Sequence, residues 1–413
     1  MTRLRINLFC LFLLCPVPAL AQGISGYAEA KVFAYFERSS SQDPWASGWG
    51  TIFTKWEAKT GETQLTVSVR GEGITSDERG PLAFDPADRK IRRSPFSAQD
   101  LWLRLPVTPS MDLQLGRFQL GWGKTDGYSP ADAFLPRDLS DPFSDEKIPL
   151  WAVRLSGQDG ALRYESVVCP VTTPWRLPVL GSRNAPLKAE GFPVGTTFNE
   201  EETSPPDFGF VALRLLYTLG EWDLGAWGRV GVRPAPLLDF RFDRAISGPS
   251  ALTIPVERRY AREEGAGIEL SRIIGSWILR GEAAGLLSRE RDLGNALIGS
   301  ISVERGFGDG TLLVTLAGNT KEAAVDQALL FDRAMLPALI TAWNRTEEWG
   351  EWKLVWTAGL KHGDGLFKGE VGYNLTDLWK VTLGGEIPYG STEGPFGALY
   401  AARRVHAALR RSW

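Results

Sequence analysis

Through most of this chain, apolar and polar residues alternate one by one in segments of about ten residues. Residues 223–233 show the pattern, with Asp223, Trp227 and Arg229 on one face of a strand and Leu224 and Val230 on the other. Successive side chains of a β-strand point to opposite faces, so each segment has one polar and one apolar face. The pattern predicts an all-β fold in which each strand separates water from a hydrophobic phase.

The connections between these segments alternate in length. Short connections, rich in the turn formers Gly, Asp, Asn and Pro, occur at residues 59–62, 106–111, 156–160, 218–222, 273–276, 306–310, 347–351 and 374–378. Longer connections occur at residues 37–47, 73–96, 123–149, 169–207, 234–260, 289–295, 319–337, 361–366 and 390–396. Eight turns and nine loops imply about eighteen strands, with both chain ends on the side of the turns.

Bacterial single-chain barrels have an even number of strands, short periplasmic turns and longer outer loops. The alternation and the strand count therefore predict a transmembrane antiparallel up-and-down β-barrel in a Gram-negative outer membrane, with both termini in the periplasm. Residues 326–344 could instead form an outer helix, in which case sixteen strands is the alternative. A soluble β-sandwich, which shows similar alternation, is a further alternative.

The amino-terminal residues have the parts of a secretory signal. Arg3 and Arg5 precede an apolar run at residues 6–14, and residues 19–21 form a small-x-small cleavage site. A membrane-spanning helix is the alternative, although it needs about twenty apolar residues, more than this run supplies. The predicted domains are a signal peptide at residues 1–21 and, at residues 22–413, a barrel with an infolded loop at about residues 123–149.

Cysteine usage and charge narrow the class of protein further. Cys15 leaves a lipoprotein signal as an alternative, but cleavage after residue 21 leaves Cys169 alone, so the mature chain cannot form an internal disulfide. The chain has 46 basic and 49 acidic residues, and the 46 include Arg3 and Arg5 of the signal. This mildly acidic balance gives no basic surface for nucleic acid. The hydrophobic fraction of 43% fits a barrel with a wet interior.

The alternation also predicts which side chains line the interior. An Arg or Lys at the middle of the lipid face would cost about 2 to 4 kcal/mol, so charged residues should point inward. In the first strand we expect Val32 and Phe36 to face lipid and Glu29 and Lys31 to face the lumen. The candidate residues of the pore and its constriction are Arg70, Arg104, Arg117, Lys124, Asp126, Asp132, Arg137, Asp138, Asp141, Arg229, Arg280 and Glu282.

The loop at residues 123–149 is the candidate constriction. It is highly charged, yet it carries Tyr128, Phe134 and Phe143, which need a surface to pack against. A barrel of about eighteen strands is too wide for its wall side chains to fill, and long loops without regular structure are usually functional. We therefore expect this loop to fold into the lumen. The alternative is that Phe134 and Phe143 cap the rim.

Arg117 precedes this loop and breaks the alternation. On strict alternation it shares a face with Leu113 and Leu115, which would place it against lipid. A bulge at Gly116 would turn Arg117 inward, and bulges are common at barrel rims and near functional sites. An inward Arg117 could pair with an acidic residue of the loop, and the candidates are Asp126 and Asp132.

The chain contains 16 tryptophans. Those near predicted strand ends should form the aromatic belt of a membrane protein, and they are Trp102, Trp122, Trp151, Trp222, Trp277, Trp349, Trp352 and Trp379. The alternative is a surface on which sugars stack, for which Trp102 and Trp227 on the inner face are the candidates. The only histidines, His362 and His406, are far apart and no Gly-x-Ser-x-Gly motif is present, so we expect neither an enzyme nor a cofactor.

Four segments of the chain resemble a known family. They are LGRFQLGWGKTDGYSPADAFLPRDL, DLGAWGRVGVRPAP, ILRGEAA and the carboxyl-terminal run from LTDLWKVTLGGEIPYG to ALRRSW. Together they are similar to a family of Gram-negative outer-membrane barrels of unknown function, itself distantly similar to alginate-export and porin barrels. The resemblance implies a single porin-like barrel. The positions that match the family's Arg-x-x-x-x-Trp-Gly segment and its following acidic residues are Arg117, Trp122, Gly123, Asp126 and Asp132.

Two positions depart from the family pattern, which more often has Gln after the arginine and Phe at the carboxyl terminus. This chain has Phe118 and Trp413 there. The family also implies that the barrel-assembly machinery reads the last strand. The other expected partners are the lipid bilayer and lipopolysaccharide, with a homo-oligomer or a periplasmic protein as further possibilities and no nucleic acid.

The expected function is a porin-like channel for passive diffusion of small polar solutes. The alternative is a non-conducting or plugged barrel that serves as the outer-membrane component of a transport or surface-assembly complex.

Overall fold

The computed structural model describes residues 23–38, 43–75, 85, 87–90, 92, 94–144, 146–185, 196–201, 204–248, 252–290, 293–320 and 332–413. The predicted signal peptide lies outside the described residues.

Eighteen antiparallel strands in the described part of the chain form one closed barrel. Each strand pairs with its neighbours in chain order. The strands are Ile24–Tyr35, Ala46–Thr60, Thr63–Ile74, Phe96–Thr108, Met111–Phe118, Leu150–Asp159, Leu162–Cys169, Phe210–Leu219, Trp222–Val232, Arg262–Ile274, Trp277–Ser288, Ala296–Phe307, Gly310–Asn319, Ala338–Glu347, Gly350–Gly359, Asp364–Asn374, Trp379–Tyr389 and Arg404–Ser412.

Pairing of the first strand with the last closes the barrel. Ile24–Tyr35 pairs antiparallel with Arg404–Ser412. The N–H of Trp413 donates to the carbonyl of Gly26 at 3.1 Å, and the N–H of Gly26 donates to the carbonyl of Trp413 at 3.2 Å. The prediction of eighteen strands is confirmed and the alternative of sixteen is wrong. The uncertain segment contributes a strand, Ala338–Glu347, and residues 321–331 lie outside the described part.

All eight predicted short turns connect neighbouring strands at one end of the barrel, which we call the turn end. The nine longer connections join strands at the other end, the loop end. A positive φ marks most of the turns, as at Gly61 (60°) and Gly160 (56°), where glycine adopts the left-handed conformation without steric cost. The first strand begins at Ile24 and the last ends at Ser412, both at the turn end, because an even number of strands brings the chain back to the side on which the barrel begins.

The two faces of the wall differ as the alternation predicts. In the strand Phe210–Leu219, Val211 and Leu213 are 44% and 49% exposed on the outer face, while Phe210 and Ala212 are 3% and 2% exposed on the inner face. In the first strand, Val32 is likewise exposed, and Glu29 bonds to Arg410 across the inner face. A closed barrel with this outward apolar surface is the architecture of outer-membrane proteins. None of the described helices is long and apolar enough to cross a membrane.

Several tryptophans lie on the outer face, including Trp56, Trp277, Trp343 and Trp356. The prediction for Trp122 is wrong. The preceding strand ends at Phe118, so Trp122 belongs to the long connection and is only 1% exposed inside the barrel.

The longer connections contain short elements of their own. Arg137–Asp138 pairs with Glu146–Lys147. A small separate sheet consists of Thr197–Glu200, Leu237–Phe240, Ile246–Ser247 and Leu252–Arg259. The described 3-10 helices are Pro130–Asp132, Phe242–Arg244, Arg333–Met335 and Gly397–Ala402.

Candidate functional site inside the barrel

Residues 119–149, which we call the infolded segment, contact the inner face of strands around most of the barrel. Trp122, Tyr128, Phe134 and Phe143 are all buried and belong to one apolar cluster with inward side chains of the wall. Through these four aromatic side chains, the otherwise polar segment packs against the inner face of the wall.

Glu282 is the main anchor of the infolded segment on the wall. Its Oε1 accepts hydrogen bonds from the backbone N–H groups of Lys124 and Thr125 and from the Thr125 hydroxyl. Its Oε2 accepts from the Ser129 hydroxyl at 2.6 Å and from the Ala131 N–H at 3.0 Å. A buried carboxylate is costly unless it is well bonded, and these donors satisfy both oxygens.

The segment then reaches the far side of the lumen. The Thr125 hydroxyl bonds to the Ser300 hydroxyl at 2.7 Å, and the Thr315 hydroxyl donates to the carbonyl of Asp126 at 2.8 Å. Gly127 has a φ of +83°, and a Cβ there would lie 2.9 Å from Cγ2 of Ile340. Ile340 belongs to the strand Ala338–Glu347, about half-way around the ring from the strand that precedes the segment.

On its return path the segment bonds to a third part of the wall. Lys368 Nζ donates to the carbonyl of Phe143 at 2.6 Å, and Arg404 Nη2 pairs with the Asp141 carboxylate at 2.7 Å. The segment is also braced internally: Asp132 Oδ1 accepts the N–H groups of Trp122 and Gly123 at 2.8 and 2.9 Å. The other Asp132 oxygen bonds to Lys147, and Arg70 Nη2 bonds to Glu146 at 2.5 Å.

Phe134 is the centre of an aromatic group. Its ring lies 5.6 Å from that of Trp122, 5.3 Å from that of Phe210 and 5.7 Å from that of Trp227. The Arg229 guanidinium lies 5.1 Å from the centre of the Phe134 ring and pairs with Glu263. Trp227 is thus covered by Phe134 in this structure.

The predicted partners of Arg117 are wrong. Arg117 is only 2% exposed, and its Nη2 bonds to Asp88 at 2.5 Å. Its Nε donates to the carbonyl of Ala98 at 2.7 Å. No bulge occurs at Gly116, because the pairing with the neighbouring strand continues in register through Leu101 and Arg117. Gly116 instead has a φ of +122°, which changes the direction of the chain without inserting a residue.

Asp88 connects Arg117 to a chain of buried charges. Arg176 bonds to Asp88 and, at 2.8 Å, to Asp138 of the infolded segment. Burial by itself would raise the pKa of the Asp88 carboxyl, but the charges of Arg176 and Arg117 outweigh it and hold that pKa below its ordinary value. This chain of charges, from Arg117 to Asp138, links the long connections that contain Asp88 and Arg176 to the infolded segment.

Asp126 and Asp132, the two expected partners of Arg117, face other cations. Asp132 bonds to Lys147, and Asp126 lies 3.7 Å from Arg280. Arg280 also pairs with Glu304 at 2.6 Å. Of the other candidates, Arg104 pairs with Asp112 on the wall, Lys124 Nζ lies 3.4 Å from the Ser271 hydroxyl, and Arg137 is buried within the segment.

Several inward charges were missing from the sequence-based candidates. Arg214 pairs with Glu269 through Nε at 2.7 Å and also donates to the carbonyl of Trp122. Lys368 and Arg404 hold the returning part of the infolded segment. The alternation places all of these residues on the inner face. Many other wall residues share this inward position, so the alternation does not show which of them contact the infolded segment.

The larger cavities inside the barrel include two that are bordered by inward wall residues. One of about 570 Å³ is lined by wall residues near the turn end, including Asp112, Gln158, Glu165 and Arg214. The other, of about 460 Å³, borders Asp126 and Gly127 of the segment and the strands beyond them. Both are bordered by charged side chains.

The loop end above the segment is covered. Trp175 Nε1 donates to the carbonyl of Leu135 at 2.9 Å. Leu139 of the segment packs in a buried cluster with Trp175, Leu238 and Val256, which belong to two outer connections. The small separate sheet is therefore stacked on the infolded segment.

The two histidines are placed separately. His362 lies in the loop before Asp364–Asn374, and His406 lies in the last strand, near the carboxylates of Glu370 and Glu386 at 3.5 and 3.4 Å. No group of three potential metal ligands occurs among the residues that the structure describes.

No protein-family model matches the chain, and no curated protein matches it. Solved structures that align with it include engineered variants of the porin of Rhodopseudomonas blastica. One is 10% identical, with 94% of this chain and 99% of that chain covered and a TM-score of 0.44. A triple mutant is 9% identical with the same coverage and a TM-score of 0.41. Scores of this size carry no functional inference, and the strand pairing itself establishes the barrel.

Proposed function

We propose that this protein is an outer-membrane channel through which small polar solutes diffuse passively. The infolded segment narrows the lumen, and the mixed charges of the wall screen the solutes. In this proposal the turn end and both chain ends lie in the periplasm, because bacterial barrels have short periplasmic turns and longer outer loops. The outward apolar face meets the bilayer and lipopolysaccharide, and the last strand is the segment read by the barrel-assembly machinery.

The observation that carries the proposal is the pair of cavities inside the closed barrel. Their combined lining includes exposed polar side chains, among them Gln158, Asn344 and Lys353. An interior of this kind holds water, and a barrel of about eighteen strands is too wide to be filled by wall side chains alone. Water-accessible space bordered by charges is what passive diffusion of polar solutes requires.

One observation favours a second candidate, a plugged barrel that acts with partner proteins. The outer connections that contain Trp175 and Val256 pack on the infolded segment at Leu139. A cover of this kind would close the loop end until a partner or a conformational change displaced it. Conductance of the isolated protein separates the two candidates.

The test is single-channel conductance of the refolded protein in a planar bilayer, with wild type compared to a deletion of residues 125–143. We expect steady conductance from the wild type and a larger value after the deletion. Retention of the barrel in the deletion variant is checked by its β-type circular dichroism and its heat-modifiable mobility in gels. Absence of conductance from both folded proteins would overturn the channel and favour the plugged barrel.

A further inference from the structure

The cavity of about 460 Å³ has two chemically different parts. We call it the lysine cavity, after Lys353 and Lys368 in its lining. Its apolar lining consists of Leu313, Met335, Ile340, Ala342, Val355, Leu366 and Phe396. Its polar lining includes Asp126, Glu304, Asn344 and the two lysines. The apolar residues Met335, Ile340 and Phe396 are buried, whereas Asn344 and Lys353 are exposed, so the polar part is the accessible part.

The carboxylates of the lysine cavity are already neutralised. Glu304 pairs with Arg280 at 2.6 Å, and the same guanidinium lies 3.7 Å from Asp126. Arg280 thus faces both carboxylates that the cavity presents. An incoming cation would have to compete with this arginine for either of them.

Within the described residues, Lys353 and Lys368 do not form ion pairs as the two carboxylates of the cavity do. Lys353 and Lys368 lie on paired strands, with Lys368 opposite Val355, so both point into the cavity two positions apart. Lys368 Nζ bonds to the carbonyl of Phe143, a neutral group.

The carboxylates nearest to the two lysines bond elsewhere. Asp141 and Glu386, which act on Lys368 at longer range, both pair with Arg404, and Glu370, opposite Lys353, lies 3.5 Å from His406. A partly buried ammonium group that shares its counter-charges in this way favours an anion beside it.

We propose that the lysine cavity selects small organic anions that carry an apolar body, such as short alkyl sulfonates or carboxylates. The acidic head lies between Lys353 and Lys368, and the alkyl chain packs on the aliphatic wall around Ile340, Val355 and Leu366. This combination of a mostly apolar lining with few charged groups is typical of small-molecule sites. The inference rests on the proposed channel function and names the solute class for it.

The experiment measures the concentration of an added ion that halves the KCl conductance of single channels. Butanesulfonate is compared with methanesulfonate, which has the same head and a smaller body, and with butylammonium, which has a similar body and the opposite charge. We expect butanesulfonate to halve the conductance at the lowest concentration of the three. Butylammonium should block less because the lysines repel its positive charge, and methanesulfonate should block less because its smaller body has less contact with the apolar lining.

The double variant Lys353→Gln, Lys368→Gln should raise the half-blocking concentration of butanesulfonate at least about fivefold, the effect of one unit charge about 4 Å away in water. Lys380→Gln is the matched control, because Lys380 also lies on the wall but pairs with Glu351 outside the cavity. The single variant Lys353→Gln, at an exposed side chain, gives the same test without disturbing buried contacts. It should show a smaller change in the same direction.

The outcomes separate this inference from the channel proposal. Selective block by butanesulfonate that is weakened in the lysine variants and kept in Lys380→Gln supports the inference. Equal block by butanesulfonate and butylammonium, or block that the lysine variants leave unchanged, overturns the inference while the channel stands. Absence of conductance in every folded variant overturns both.

Discussion

Glu282→Gln should release the infolded segment from the wall. The carboxylate accepts hydrogen bonds from three backbone N–H groups, those of Lys124, Thr125 and Ala131, and from two hydroxyl groups. A glutamine has one acceptor oxygen and replaces the other with an NH₂ group. Whichever way the amide is turned, at least one backbone N–H of the segment then faces a donor, because only the hydroxyl groups can rotate to accept.

The size of the effect follows from the number of bonds lost. Net hydrogen bonds to a charged group contribute about 1.5 to 3 kcal/mol each, and bonds to one carboxylate are not additive. We therefore expect the free energy of opening the segment to fall by about 2 to 3 kcal/mol. Since about 1.4 kcal/mol corresponds to a factor of ten, the open population should rise roughly 30- to 150-fold.

Amide hydrogen exchange of the barrel in detergent measures this population directly. The N–H groups of Lys124, Thr125 and Ala131 should exchange faster by that factor in Glu282→Gln, while amides of the strand Trp222–Val232 keep their protection. Glu29→Gln is the control, because Glu29 is also an inward carboxylate but bonds to Arg410 on the wall and not to the segment. Unchanged exchange of the three amides in Glu282→Gln would refute the anchoring role of this residue.

Three further perturbations test the same architecture. Because the folded pKa of Asp88 lies below its ordinary value of 3.8, its stabilisation is present above that pH and is lost as the pH falls through the lowered pKa. Asp88→Asn should therefore lower the melting temperature at neutral pH, and the melting temperature of the variant should fall less steeply than that of the wild type as the pH is lowered. The same dependence on pH in both proteins would contradict this. Gly127→Ala places a Cβ 2.9 Å from Ile340 at a φ of +83° and should cost about 1 to 3 kcal/mol of segment stability by hydrogen exchange. Gly318→Ala, with open space around it, should leave exchange unchanged. Phe134→Ala should lower stability by about 3 to 5 kcal/mol, read as earlier thermal loss of the heat-modifiable band, and an unchanged melting temperature would count against the aromatic group.

The strand number and the facing of the wall were predictable because each is enforced locally. Lipid on one side of every strand requires an apolar residue at every second position, and Val211 and Leu213 show the result. The turn glycines mark the strand ends for an equally local reason. Trp122 was misassigned because its position in sequence is close to a strand end, yet the chain has already left the wall at Phe118.

The contacts of the candidate site were predictable only in part. That residues 123–149 need a packing surface follows from their aromatic side chains, but which wall residues supply it depends on how far the segment reaches. The partner of Arg117 is Asp88, in a connection between two other strands. No periodicity relates those two positions, so the pair could be found only once the long connections had been placed.

The infolded segment also has a mechanical consequence. A ring of antiparallel strands can bend at each pair of neighbours, so an empty wide barrel is easily flattened by lateral pressure in the bilayer. Here one segment is fixed to Glu282 and Thr315 on one side and to Lys368 and Arg404 further around the ring. Because these attachments link distant strands across the lumen, we expect them to resist flattening, so that the cross-section of the barrel depends little on the membrane around it.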